Sequence, residues 1–142
     1  MMRASMFIRL VPYPYLLLFL LSGCHYSLPD LRAMPPTKTL DAKADYAALA
    51  TCTKQRYDGA HLDKLQLWQD PGVAIARLGY WERRAFLWVD IDRAWFEIRF
   101  IGTGSAQTRI DIRNSPSEKL PLDPMLTAVN GCIASLTSAS PS

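Results

Sequence analysis

Between Lys64 and Arg113 apolar and polar residues alternate, and on either side of that stretch the apolar residues recur at helical spacing. The alternation predicts five strands, at about 64–69, 73–81, 85–91, 94–100 and 106–113. Asp41 is the expected N-cap of a first helix running to about Tyr57, with Asp58-Gly59 as its stop. Asp123-Pro124 has the N-cap and N1 pattern of a second helix. That helix carries the apolar stripe Met125, Val129, Cys132 and Leu136.

The connections between strands set the expected register. Asp70-Pro71-Gly72-Val73 fits a type II turn, Glu82 to Ala85 a four-residue loop, Asp92-Arg93 a tight turn, and Ile101 to Ser105 a glycine loop. Each places Leu67, Ala76, Leu78, Tyr80, Leu87, Val89, Phe96, Ile98 and Ile110 on one common face. Because a slip of one residue would turn a strand's side chains to the other side, agreement at four turns supports an antiparallel meander. Two amphipathic helices need an apolar surface to cover, and this face is the one available. The expected fold is α+β: a five-stranded antiparallel meander flanked on one face by an N-terminal and a C-terminal helix, occupying residues 40–136.

The same registers gather Trp68, Arg77, Trp81, Trp88, Trp95, Arg99 and Arg109 on the opposite face, with all four tryptophans of the chain. Arg77 is expected opposite Asp90, Glu97 opposite Arg109, and Gly79 opposite Trp88, where the indole has room to lie. Trp and Arg offer large area and planar polar forks, which suits a binding surface for a protein, peptide or glycan partner. The structural alternatives are cross-strand aromatic packing with surface ion pairs, or a first helix or N-terminal segment folded over this face.

Charge changes the picture little. The 16 Lys+Arg include Arg3 and Arg9, and the remaining 14 nearly balance the 13 Asp+Glu, which gives no electrostatic footprint for nucleic acid.

The N-terminus is more specific. Met1 to Arg9 is basic without an acid, Leu10 to Leu21 is apolar but broken by Pro12 and Pro14, and the run is too short to span a bilayer. It ends in Leu21-Ser22-Gly23-Cys24, an aliphatic residue, two small ones and a cysteine. These features resemble the lipobox and signal peptide of the bacterial lipoprotein family; the resemblance covers about the first 25 residues. It implies a cleaved leader at 1–23, acyl chains on Cys24 that hold the protein to a membrane, and a periplasm-facing domain. With His25 rather than Asp after the cysteine, the family's sorting rule favours the outer membrane of a Gram-negative host. Lipidation of Cys24 leaves Cys52 and Cys132 as an even pair, expected as a disulfide in an oxidising compartment. Residues 24–39, without period and with Pro29, Pro35 and Pro36, read as lipid anchor and flexible tether, and 137–142 as a frayed tail.

Candidate catalytic groups are sparse. His61 is the one histidine of the expected domain and lacks a ligand cluster around it. Asp90 and Asp92 form a D-x-D, for which a turn-forming and a paired aspartate is the simpler account. Gly102-Thr103-Gly104-Ser105 joins strand to strand, with no helix N-terminus to receive an anion. The expected function is therefore a non-catalytic envelope lipoprotein, with no cofactor and no metal, that binds through the Trp/Arg face. The alternatives are a periplasmic lysozyme-type inhibitor inserting the glycine loop, and a hydrolase using Asp90, Asp92 or His61.

Overall fold

Alternation over the middle of the chain does build a sheet, but from longer strands than the turn signals suggest. The computed structural model describes residues 26–57, 62–86, 89–116 and 122–138. The leader, Cys24, His25, His61, Leu87, Trp88 and the last residues 139–142 lie outside those ranges. The elements are α1 (Leu28–Ala33), β1 (Lys38–Ala42), α2 (Tyr46–Arg56), β2 (Gln66–Asp70), β3 (Ile75–Phe86), β4 (Val89–Gly104), β5 (Gln107–Asn114) and α3 (Leu122–Ser138). All strand pairs are antiparallel, in the order β1-β5-β4-β3-β2. The α+β class and the five-stranded sheet with helices before and after it are as expected.

The five strands are not the five expected. The segments 73–81, 85–91 and 94–100 merge into β3 and β4, which pair from Ile75↔Ile101 out to Phe86↔Val89. There is no turn at Asp92-Arg93: Asp92 pairs with Arg83 and Arg93 with Glu82 inside the ladder. Beyond Trp81↔Ala94 the β3–β4 pair has no neighbouring strand among the described residues and forms a two-stranded arm. The fifth strand is β1, drawn from the end of the expected tether and the start of the expected first helix. It lies along the β5 edge, with Asp41 opposite Arg109. Asp41 is thus a strand residue, and the cap of α2 is Asp45, whose carboxylate accepts from the N–H groups of Ala47 and Ala48 at 2.9 and 3.0 Å.

Two turns differ in a way that preserves the faces. After β2 a single 3-10 turn over Pro71–Val73 ends with Ala74 in the left-handed region (φ 51°), so Gly72 does not take the type II conformation. Leu67 then faces Leu78 and Gln69 faces Ala76, two residues from the expected register. Strand β4 runs through Gly104, and Ser105-Ala106 makes the turn with Ala106 at φ 55°. That moves the β4–β5 register by four residues, to Phe100↔Ile110 and Ile98↔Ile112. Even shifts leave each side chain on its own face.

The core forms on the aliphatic face. Ala76, Leu78, Tyr80, Phe96, Ile98, Phe100, Ile110 and Ile112 from the sheet meet Leu49 and Ala50 of α2 and Met125, Ala128 and Val129 of α3. Helix α3 begins at Leu122, which puts Asp123 in its first turn rather than at the cap; of the expected stripe Met125, Val129 and Cys132 are buried and Leu136 is partly buried. The Cys52–Cys132 disulfide joins α2 to α3 across 80 residues of chain, a closure that stabilises by about 4 kcal/mol in the chain-entropy model.

Helix α1 lies on the other side. Its N-cap Ser27 and Asp30 form a reciprocal capping box, and Leu31 is fully buried. The Tyr26 carbonyl accepts from Ala94 N–H at 2.9 Å, where the arm leaves the sheet. Residues 26–39 of the expected tether are therefore part of the fold. Three prolines conceal this in the sequence, because α1 and β1 are each too short to display a period.

Candidate functional site

The sheet face away from the α2–α3 layer is built from polar positions in cross-strand rows. One row runs Gln66, Gly79, Glu97 and Arg113; the next runs Trp68, Arg77, Arg99, Asp111 and Thr39; the third runs Asp70, Ile75, Ile101, Arg109 and Asp41. Helix α1 covers the first row at its β4–β5 end. Arg32 forks the Glu97 carboxylate through Nε at 2.9 and 3.1 Å and Nη2 at 2.6 Å, while Arg113 Nε donates to the Met34 carbonyl at 2.9 Å. Glu97 is fully buried, so this charge-assisted pair keeps a carboxylate inside the protein that would be costly if left alone.

The three described tryptophans do not share one environment. Trp68 is 53% exposed, and the Arg77 guanidinium lies over its ring, 4.8 Å from the centroid. Trp81 lies over Gly79 on this same face: a Cβ at Gly79 would sit 2.7 Å from the indole Cζ3 and 2.5 Å from the Phe96 carbonyl oxygen. The room that glycine leaves is used by Trp81. Trp95 is on the opposite face. A bulge at Tyr80/Trp81 places Phe96 opposite Tyr80 and Ala94 opposite Trp81, so Trp95 is the extra residue. It turns into the core, 6% exposed, and stacks on Tyr80 with centroids 4.1 Å apart. Trp88 lies outside the described residues.

The expected charge pairs are replaced by others. Arg77 faces Arg99, not Asp90, and Glu97 faces Arg113, not Arg109. Arg109 Nε instead binds Asp111 Oδ1 at 2.9 Å along its own strand, and Thr39 Oγ1 donates to the same oxygen at 3.1 Å. On the arm, Asp92 accepts from Arg83 Nε at 2.8 Å and Asp90 is exposed opposite Ala85, so the D-x-D lies in a strand. The hydrogen bond it donates to Asp92, then the charge of Asp92, raises the Arg83 guanidinium above its ordinary value. Burial lowers that of Arg77, with the charges of Arg32 and Arg99 adding to the effect and those of Glu97 and Asp70 opposing it.

Two recesses adjoin this face. A cleft of about 700 Å³ lies between α1 and the base of the arm, lined by Leu28, Arg32, Gln66, Trp81, Arg83 and Arg93 among others. A second, of about 330 Å³, lies at the β1–β5 end by Asp41, Thr103 and Gln107. Among the described residues no three His, Cys, Asp or Glu side chains come together as a metal site, and no helix is long and apolar enough to cross a membrane.

Of the predicted binding residues, Trp68, Arg77, Arg99 and Arg109 share the open half of the face, and Trp81 borders the cleft beside it. Sequence reasoning missed Arg32, which comes from the expected tether yet supplies the main partner of Glu97. Its one legible signal is the capping pattern Ser27-Leu-Pro-Asp30 just before it.

Compared with known proteins, the chain matches no family model, no curated sequence and no solved structure.

Proposed function

We propose that this chain is a lipid-anchored protein of the bacterial envelope, held through Cys24 after removal of residues 1–23, facing the periplasm, and working by binding rather than by catalysis. In a Gram-negative host the outer membrane is the favoured site. The contact surface is the open half of the polar face: Trp68, Arg77, Arg99 and Arg109, flanked by the Trp81 cleft. The observation that carries this reading is a large exposed indole stacked with a guanidinium on a rigid sheet, beside further arginines. Such residues are the usual anchors of recognition surfaces. The disulfide, which needs an oxidising compartment, supports export.

The fold also sharpens the anchoring. One residue, His25, separates Cys24 from Tyr26, which is hydrogen-bonded to Ala94. At roughly 3.6 Å per residue, the Cα of Tyr26 lies within about 7 Å of the Cα of an acylated Cys24, which keeps the base of the arm close to the membrane. The domain then rests against the membrane instead of ranging on a tether.

Two measurements test the proposal. Mass spectrometry of the mature N-terminus is expected to find an acylated Cys24; an unmodified cysteine or an intact leader removes the anchoring. Photo-crosslinking in the envelope from position 68 is expected to give a discrete adduct that the same probe at exposed Lys54 of α2 does not give. Equal labelling at both positions, or none at either, removes the binding face.

A further inference from the structure

The aliphatic side of the sheet continues past its helical cover. Strand β3 alternates without interruption from Leu78 through Tyr80 and Glu82 to Arg84 and Phe86. After the bulge at Trp95, Arg93, Ile91 and Val89 stand opposite Glu82, Arg84 and Phe86. The register thus carries the core side of the sheet out along the arm, with Phe86, Val89 and Ile91 as a group of apolar positions at its far end. The reverse side is polar. There Arg83 binds Asp92 at 2.8 Å with both side chains in solvent, and Ala85 and Asp90 are exposed opposite each other. Among the described residues the core stops at Tyr80 on β3 and Trp95 on β4, and no third strand pairs with the arm. A two-stranded ribbon with one apolar side is marginal in water on its own, so this arm calls for a surface to lie on.

We propose that the β3–β4 arm is a second membrane contact, laying its Phe86, Val89 and Ile91 side into the bilayer that holds Cys24. The contact depends on the lipid anchor proposed above and names what the arm does beside it. Tyr26 is bonded to Ala94 at the base of the arm, and Cys24 precedes it by two residues. From Glu82 to Phe86 the arm spans about 17 Å at roughly 3.4 Å per residue, so its far end stays within reach of that bilayer. In the sequence this end reads Ala85-Phe86-Leu87-Trp88-Val89, an unbroken apolar run preceded by Arg83-Arg84. Apolar residues bordered by arginine suit the boundary between acyl chains and anionic headgroups. Glu82, the one acid on this side of the arm, accepts from the Tyr80 hydroxyl at 3.1 Å. With so short a link the contact is intramolecular once the chain is anchored, and even a weak one is populated. A protein occupant has no such enforced proximity.

The test is fluorine NMR of the mature acylated protein, labelled with 4-fluorophenylalanine, in nanodiscs of phosphatidylethanolamine and phosphatidylglycerol. After residue 23 the chain has three phenylalanines, Phe86, Phe96 and Phe100, and the last two are fully buried controls. Loss of one signal in Phe86→Leu assigns Phe86. A nitroxide on the lipid acyl chain is expected to broaden Phe86 at least about threefold more than a water-soluble nitroxide does, as an apolar face sunk about 5–10 Å past the headgroups requires. Phe96 and Phe100 are expected to respond weakly to both. Val89→Asp with Ile91→Asp, or Val89→Asp alone should the pair not fold, is expected to reverse the order for Phe86 and to leave the Phe96 and Phe100 signals in place. Broadening of Phe86 by the aqueous agent as strong as by the lipid agent would overturn the proposal, and so would an unchanged order in the variant. A Phe86 as protected from both agents as Phe96 would overturn it in favour of a protein cover, either a partner or a second copy of the chain. An unmodified Cys24 in mass spectrometry removes the anchor and this contact together. An acylated Cys24 with a water-exposed Phe86 removes the arm contact alone.

Discussion

The two faces of this sheet are held by different physics. The face under α2 and α3 is aliphatic and fully buried, and its stability comes from non-directional removal of apolar area from water. The other face is a lattice of arginines and acids, closed at one end by the six-residue α1 through the Arg32–Glu97 fork and left open at the other. On the first face the contacts are numerous and interchangeable. On the second a few charge-assisted bonds decide what is covered, and breaking one leaves a buried charge behind. The first face holds the fold together, and the second is the surface proposed for binding.

Substitutions on the two faces separate these roles. Ile98→Ala, in the centre of the aliphatic face, opens a cavity among residues that cannot collapse around it. A loss of about 3–4 kcal/mol in chemical denaturation is expected. Arg32→Met removes the forked partner of the buried Glu97, leaving Arg77 at 3.9 Å, and is expected to cost about 3 kcal/mol. The double variant Arg32→Met with Glu97→Met is expected to recover most of that loss, because an apolar pair needs no charge compensation. No such recovery is available for a cavity on the first face, so the double variant distinguishes the two kinds of support.

Smaller effects probe the boundary between the faces. Gly79→Ala forces a methyl group against the Trp81 indole and the Phe96 carbonyl, with an expected loss of about 1–3 kcal/mol and a changed Trp81 environment in fluorescence. The weakest probe is acid. The Ser27 hydroxyl, then the Ser27 N–H, hold the Asp30 carboxyl below its usual 3.8. A carboxylate depressed in the folded state contributes stability above its unfolded value, and that contribution is lost as pH falls through the folded one. Asp30 is therefore expected to titrate below 3.8 by NMR, with amide signals of α1 moving in the same step, and Ser27→Ala is expected to return it toward 3.8.

The aliphatic face was legible because strand alternation has a period of two. The turns at Pro71–Val73 and Ser105-Ala106 differ from their expected forms, yet they shift register by two and four residues, and Leu78, Ile98 and Ile110 stay inside. The polar face was legible only as a composition. Its pairings depend on absolute register: the four-residue shift at Ser105-Ala106 exchanges Glu97–Arg109 for Glu97–Arg113, and the absence of the two turns expected between Glu82 and Arg93 exchanges Arg77–Asp90 for Arg77–Arg99. Trp95 was misplaced because one bulge residue inverts parity, and nothing in Ala94-Trp95-Phe96 signals it. Helix α1 and strand β1 were missed for a third reason. Six and five residues cannot express a period, and their positions are fixed by tertiary partners, Glu97 and β5, that are distant in sequence.

The central claim is that the polar face is closed by α1 at one end and open at Trp68, with Trp95 turned into the core. Fluorine NMR of 5-fluorotryptophan-labelled protein with a soluble paramagnetic agent measures this directly, residue by residue. The account predicts strong broadening of Trp68, weaker broadening of Trp81 and a protected Trp95. A Trp68 signal as protected as that of Trp95, or a Trp95 as accessible as Trp68, would contradict it.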